Sequence, residues 1–149
     1  MMDDETNFLS LDAQLCFALY STLHAIGRAY GPLLEPLGVT YPQYLVMLVL
    51  WEQDDVAVRT LGGRMHLDSG TLTPLLKRME VAGLVARTRG TDDQRVVRIT
   101  LTPIGRAMRE QARHIPNRVS CAMGRDLPDI ALLRDDVLRL RETLRANAH

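Results

Sequence analysis

No stretch of this chain approaches the roughly 18 to 20 unbroken apolar residues that a helical membrane span needs, so none is expected. The opening MMDDETNF is acidic where a signal peptide is basic and then apolar, and the protein is expected in the cytoplasm. Cysteine is scarce. Cys16 and Cys121 are too few for a disulfide scaffold, and in a reducing compartment such a pair is either buried packing or redox chemistry. His24, His66, His114 and His149 have no ligand spacing with one another or with the cysteines, so no metal site is expected. There is no nucleophile with a fixed base, no Gly-rich phosphate loop and no paired carboxylates in a defined pocket. An enzyme or a bound cofactor is therefore not indicated. Internal repeats and low-complexity segments are also missing.

Net charge is missing too, since 18 basic and 18 acidic side chains cancel. The cancellation hides a segregation along the chain. Residues 1–58 carry one basic and eight acidic side chains, residues 59–100 carry eight and four, and residues 101–149 carry nine and six. Phosphate affinity follows local positive density rather than the chain total, so nucleic acid is expected at the middle segment. With 149 residues, 46% of them hydrophobic, the chain can make one compact domain or one protomer of an intimate oligomer.

The pattern is mostly helical. From Asp12 to Tyr30 the residues Cys16, Leu19, Leu23, Ile26 and Tyr30 recur at three- and four-residue spacing on one face, and Gly31 with Pro32 is expected to end that helix. YLVMLVLWE is apolar almost all round, which predicts a central buried helix, with Asp54 and Asp55 marking its exit. Val58 to Met65 reads as another helix. Thr102 and Pro103 form an N-cap and first-turn proline, Pro116 should kink or break the helix they start, and a last helix opens near Pro128. In it Ile130, Leu133, Val137, Leu140 and Leu144 repeat the narrow apolar seam. A winged core of about 60 residues cannot cover two such seams, which points to a homodimer built from the two ends. A monomer folding its own ends together is the alternative.

Residues 67–105 form one device. Leu72, Leu75, Leu76 and Met79 make the inward stripe of a helix whose Thr73, Lys77 and Arg78 face elsewhere. Asp68 can cap it, with Ser69, Gly70 and Thr71 in the first turn, where hydroxyls and free N–H groups can meet phosphate. Pro74 would crowd the carbonyl of Gly70, so the helix either bends or begins nearer Thr73. Beyond it, Val97, Ile99 and Leu101 alternate with Val96, Arg98 and Thr100 as in a half-buried strand. The tip GTDDQR is turn chemistry, flanked by Arg89 and Arg95, with Asp92 or Asp93 placed to position an arginine. A helix sized for a major groove, followed by a basic hairpin that can reach the minor groove, is a winged helix-turn-helix for double-stranded DNA. The fold class is thus mainly α with a small β-hairpin wing: a single domain over 1–149, with the winged part at about 42–102 and dimerisation helices at about 10–31 and 103–149.

The blocks LDAQLCFALYS around Cys16, LGVTYPQYLVMLVLWE, LDSGTLTPLLKRME and RVVRITLTPIG cover most of residues 9–105. In them the chain resembles the MarR family of winged-helix dimers, and within it the organic hydroperoxide sensors, the OhrR branch. Two departures stand out: Gln94 lies where the family commonly has an acidic residue, and Gly62 with Gly63 sits in a helix normally less rich in glycine. The resemblance implies that Cys16 is the peroxide-reactive thiol, with Tyr30 and Tyr41 donating hydrogen bonds to it. Tyr20 and Tyr44 are read as ordinary half-buried tyrosines. If the first helix is continuous, Cys16 and Tyr30 stand 14 residues, or about 21 Å, apart along its axis, so the tyrosine must come from the other subunit.

By the same resemblance, Cys121 attacks the Cys16 sulfenic acid of the opposite chain and forms an intersubunit disulfide. The implied function is a repressor that binds a palindromic operator when reduced and leaves it when organic hydroperoxide oxidises Cys16. The regulated gene would encode a thiol-dependent hydroperoxide reductase. Two alternatives stay open: a repressor relieved by a non-covalent phenolic or drug-like ligand, and, from another class, a thiol peroxidase.

Overall fold

The computed structural model describes residues 8–148. They form seven α-helices, α1 (Leu15–Leu34), α2 (Tyr41–Glu52), α3 (Val58–Met65), α4 (Ser69–Val81), α5 (Pro103–Ala112), α6 (Ile115–Met123) and α7 (Leu127–Ala146). Three strands, β1 (Val56–Ala57), β2 (Val85–Arg89) and β3 (Val97–Leu101), make one antiparallel sheet in the order β1-β3-β2. The hairpin register pairs Val85 with Leu101 and Arg89 with Val97, while β1 adds Val56 opposite Ile99. The chain divides into two compact units, one ending at Ala112 and one beginning at Arg113.

The first unit is organised around α2. Thr40 and Gln43 cap its start reciprocally, the Thr40 hydroxyl accepting from the Gln43 N–H and the Gln43 side chain from the Thr40 N–H. Because α2 is apolar on every side, it can be covered on every side. Val46, Met47 and Leu50 are at most 1% exposed, as are Leu61 of α3, Leu72, Leu76 of α4, Val85 and Ile99 of the sheet, and Met79. Burying each such side chain is worth about 1.5–3 kcal/mol, so this cluster holds the helix-turn-helix to its wing.

Two glycines permit the close approach. A Cβ on Gly62 would lie 3.0 Å from the Leu67 carbonyl oxygen and 3.5 Å from the Leu72 side chain, so this departure from the family pattern serves the packing of α3 on α4. A Cβ on Gly105 would lie 2.2 Å from the Leu84 carbonyl oxygen, which makes α5 part of the same unit. Trp51 of α2 ties it further by donating its indole N–H to the Gly105 carbonyl at 3.0 Å. The start of α5 is the one foreseen: the Thr102 hydroxyl accepts from the Gly105 N–H at 3.1 Å.

Two expectations need correction, and one of two alternatives left open is ruled out. Gly31 and Pro32 do not end α1; the helix runs through both to Leu34, and the chain turns at the 3-10 segment Glu35–Leu37, closed by Gly38 at φ 69. A proline near a helix end forfeits one hydrogen bond, which is cheaper than ending the helix where its last apolar residue, Leu34, still has a core to enter. Pro74 likewise lies inside α4, which begins at Ser69 rather than near Thr73, because the Asp68 carboxylate caps the Thr71 N–H at 2.8 Å. Pro74 itself is on the exposed face, where the freed carbonyl of Gly70 can meet solvent. Third, Tyr44 is not half-buried but 2% exposed, and Tyr20 is 61% exposed.

The two seam helices behave differently from α2. Among its 20 residues α1 buries only Leu34, and it exposes Leu15, Phe17, Leu19, Tyr20 and Leu23. In the second unit, α7 starts at the Asp126 cap and buries none of its 20 residues, leaving Leu132, Leu133, Val137 and Leu144 exposed. Between them Pro116 stands in the first turn of α6, so the break expected near it falls before Ile115.

Candidate nucleic-acid interface and thiol site

On α4 the apolar stripe and the polar face separate as the spacing predicts. Leu72, Leu75, Leu76 and Met79 are buried, Ser69, Thr71, Lys77 and Arg78 are exposed, and Thr73 is half-buried. Among the described residues neither Lys77 nor Arg78 is ion-paired, so both charges are available to an anion. The Asp68 carboxyl is held below its usual range by the Thr71 N–H and hydroxyl, which keeps the cap ionised at the helix start. Arg59, on the exposed face of α3, is a further cation without an acidic partner among the described residues. Its single position in a short helix gave no pattern by which to single it out.

In the wing, Asp93 lies against Arg95. Its carboxylate accepts the Arg95 N–H at 3.0 Å and holds the guanidinium through Nε at 3.2 Å and Nη2 at 3.3 Å. The arginine side chain remains 91% exposed. These bonds, first the side-chain and then the backbone one, keep the Asp93 carboxyl below its usual range. Arg89 donates to the Gln94 carbonyl at 2.9 Å, so the tip is closed by a main-chain acceptor and not by an acid at position 94. Gly90 is required there, since a Cβ would lie 2.8 Å from the Asp93 carbonyl oxygen.

The base of the wing uses two residues that the sequence showed only as a helix exit. Asp54 accepts the Leu101 N–H at 2.9 Å, the Asp55 N–H at 2.8 Å and the Arg106 guanidinium at 3.3 Å. Burial opposes its ionisation, but these three donors together outweigh it and hold the carboxyl below the usual carboxylate range. Asp55, at φ 60, accepts Arg98 Nε on its carboxylate and Arg98 Nη2 on its carbonyl, each at 2.7 Å. Helix-exit residues of this kind carry no signal for a partner some 45 positions away, and only the fold reveals it.

The thiol-site residues fall in two places. Cys16 lies in the first turn of α1, exposed, beside Leu15, Phe17 and Leu19. Tyr30 is at the other end of the same unbroken helix, about 21 Å along the axis, so the two cannot meet within one chain. Tyr30 and Tyr41 are brought together, their ring centroids 4.6 Å apart. Tyr44 joins them at 5.8 Å from Tyr30, a member of the cluster that the sequence did not distinguish from an ordinary tyrosine. Burial, then the neighbouring Tyr41 and Tyr44, pushes the Tyr30 phenol up to about 12, and burial raises Tyr41 as well. Both stay protonated at neutral pH and can act as hydrogen-bond donors. Cys121 is exposed on α6, in the unit that begins at Arg113. Among the described residues no cluster of three or more metal-ligating side chains is present, and no single helix is long and apolar enough to cross a membrane.

A capped helix with free cations, flanked by an arginine-tipped hairpin on a three-helix core, defines a winged-helix transcriptional regulator of the MarR type. The family model described as transcriptional regulator SarA/Rot matches residues 28–112, and the chain belongs to that family. It is 41% identical over 143 residues to the organic hydroperoxide resistance transcriptional regulator of Bacillus subtilis, covering 96% of this chain and 97% of that one. It is 48% identical over 139 residues to the regulator TtmR of Methylorubrum extorquens, covering 93% and 71%. Among solved structures, reduced AbfR bound to DNA, a protein of Staphylococcus epidermidis, matches with TM-score 0.79 at 32% identity, covering 95% and 99%. The same protein matches with TM-score 0.77 when overoxidised and bound to DNA, and 0.63 in its disulfide form.

Proposed function

We propose that this regulator is a homodimeric, cytoplasmic repressor that binds a palindromic operator when reduced and is released when an organic hydroperoxide oxidises Cys16. The chain acts as one MarR-like domain in which the exposed seams of α1 and α7 pair with those of a second copy. The observation that carries the reading is the geometry of α1. Cys16 and Tyr30 sit near opposite ends of one helix, and Tyr41 at the start of α2 lies against Tyr30, so two crossed copies would bring each thiol to the other chain's phenols. The Bacillus relative, named for organic hydroperoxide resistance, supports the choice of oxidant, and the AbfR structures support a redox switch in this fold.

The chemistry follows from these groups. The Cys16 thiolate attacks the distal peroxide oxygen, the O–O bond breaks, and the leaving alkoxide takes a proton, giving an alcohol and a Cys16 sulfenic acid. The phenols of Tyr30 and Tyr41, held protonated, donate to the thiolate and then to the leaving oxygen. The apolar side chains around Cys16 would receive the organic tail. The Cys121 thiol of the second copy then attacks the sulfenic sulfur, a disulfide forms and water leaves. DNA is held by Ser69, Thr71, Thr73, Lys77 and Arg78 on α4 in the major groove, and by Arg89 and Arg95, the latter set by Asp93, at the minor groove. Two reading heads bind together only at the correct spacing, so a small rearrangement at the interface costs much affinity.

The test is a non-reducing denaturing gel of the protein with and without one equivalent of an organic hydroperoxide, beside Cys16→Ser and Cys121→Ser. A covalent dimer in the parent and in neither variant supports the intersubunit switch. Monomer in all three lanes contradicts it.

A further inference from the structure

The wing is a hairpin of two five-residue strands supported by a two-residue third strand. A two-stranded hairpin is marginal in water on its own, so what fixes the pitch of this one decides where its tip arginines point. Two successive residues at the exit of α2 hold both ends of β3: Asp54 takes the Leu101 N–H at the base, and Asp55 takes the Arg98 guanidinium further out. Arg98 pairs with Thr88 across the ladder on one side and with Ala57 on the other, so holding it holds the middle of the sheet. The Asp55–Arg98 pair also walls the open cleft of about 420 Å³ that Arg89, Gly90 and Asp93 line from the tip.

Asp55 adopts a left-handed backbone, φ 60, a conformation that among side-chain-bearing residues Asp and Asn tolerate best. That backbone lets one residue present both its carboxylate and its carbonyl to the same guanidinium. Arg98 is thus a cation of the basic segment engaged inside the protein, in contrast to Lys77 and Arg78.

We infer that Asp55, acting through Arg98, is a positioning residue for DNA binding: it sets the pitch of the β2–β3 hairpin so that Arg89 and Arg95 engage DNA together with α4. The inference rests on the DNA-binding part of the proposed function. It is opposed by simple electrostatics, because removing an acid beside a cationic surface should strengthen phosphate binding and steepen its salt dependence. The two accounts therefore predict opposite signs.

The experiment measures binding of the full-length reduced protein to a duplex that the parent selects from a randomised pool of roughly 30 base pairs, across a salt series. Asp55→Gly keeps the left-handed backbone and removes the carboxylate. It should weaken binding about tenfold and lower the slope of log affinity against log salt by about one to two, the share of the wing arginines, although Asp55 itself touches no phosphate. Asp55→Asn keeps both the backbone preference and an acceptor oxygen and should fall between parent and Asp55→Gly. A merely structural role would reduce the active fraction and leave the slope unchanged, which overturns the inference. Tighter binding, or a steeper slope, in Asp55→Asn overturns it as well, and that variant serves alone if Asp55→Gly does not fold. A parent that selects no duplex overturns the DNA-binding reading and this inference together, whereas a binding parent with unaffected variants overturns only the inference.

Discussion

Helices α1 and α2 follow one another in the chain and are both rich in apolar residues, yet α2 buries five of its 12 residues and α1 one of its 20. The difference lies in how the apolar residues are distributed. In α2 they surround the axis, so the helix can satisfy itself only inside a core, and α3, α4, α5 and the packed side of α1 supply one. In α1 they form a seam with polar residues between, a pattern that one further helix can cover. An exposed row of Leu15, Leu19 and Leu23 with a cysteine in it is a surface awaiting a partner, and in the proposed function that partner is a second copy.

The contrast can be broken at its stronger side first. Leu72→Ala, in the core that α2 organises, should destabilise the protein by about 2–5 kcal/mol in denaturant unfolding, independently of protein concentration. Leu23→Asp, on the seam, should leave the helical circular dichroism of the first unit intact and instead produce monomer in sedimentation experiments at concentrations where the parent is dimeric. A concentration-independent loss of structure would mean that α1 is packed within its own chain.

Smaller effects sharpen the comparison at the DNA-reading surface. Lys77→Gln or Arg78→Gln should each lower the salt slope of operator binding by about one while leaving thermal stability unchanged, because neither is ion-paired among the described residues. Binding by either variant with the parental slope would move the interface elsewhere.

The pH dependence is smallest and has a sign for each region. The carboxyls of Asp54, Asp68 and Asp93 are lowered from 3.8, so the native state favours their charged forms. Their contribution is fully present above that value and is lost as pH falls through the lowered ones, which loosens the wing and the α4 cap in acid. Tyr30 runs the other way. Its phenol is raised from 10.0 to about 12, so its contribution is present below 10.0 and is lost as pH rises towards about 12. Wing amide protection, taken relative to the intrinsic exchange rate, should fall as pH drops below 3.8, and an ultraviolet phenolate titration should show at least one tyrosine ionising well above the usual range.

Elements whose signal is local were legible in the sequence. The bounds of α3, the Asp68 and Thr102 caps, the buried stripe of α4 and the Asp93–Arg95 pair each depend on residues within a turn or two of one another. What the sequence hid depends on distant partners. Asp54 and Asp55 read as a helix exit because Leu101, Arg106 and Arg98 come to them only through the fold. Tyr44 read like Tyr20 because spacing cannot tell a buried ring at an aromatic cluster from an exposed one. Gly62 read only as a departure from the family pattern, whereas the approach of the Leu67 carbonyl makes it a packing requirement. Pro32 misled for the opposite reason: the local signal was real, and Leu34 in the core outweighed it.

The most direct test of the central claim is operator binding by the reduced protein before and after one equivalent of an organic hydroperoxide, for the parent and Cys16→Ser. The account predicts that the parent loses at least about tenfold in affinity, regained on adding a thiol reductant, while Cys16→Ser binds equally well in both conditions. Release of Cys16→Ser to the same extent as the parent would contradict it, and would assign the switch to something other than oxidation of this thiol.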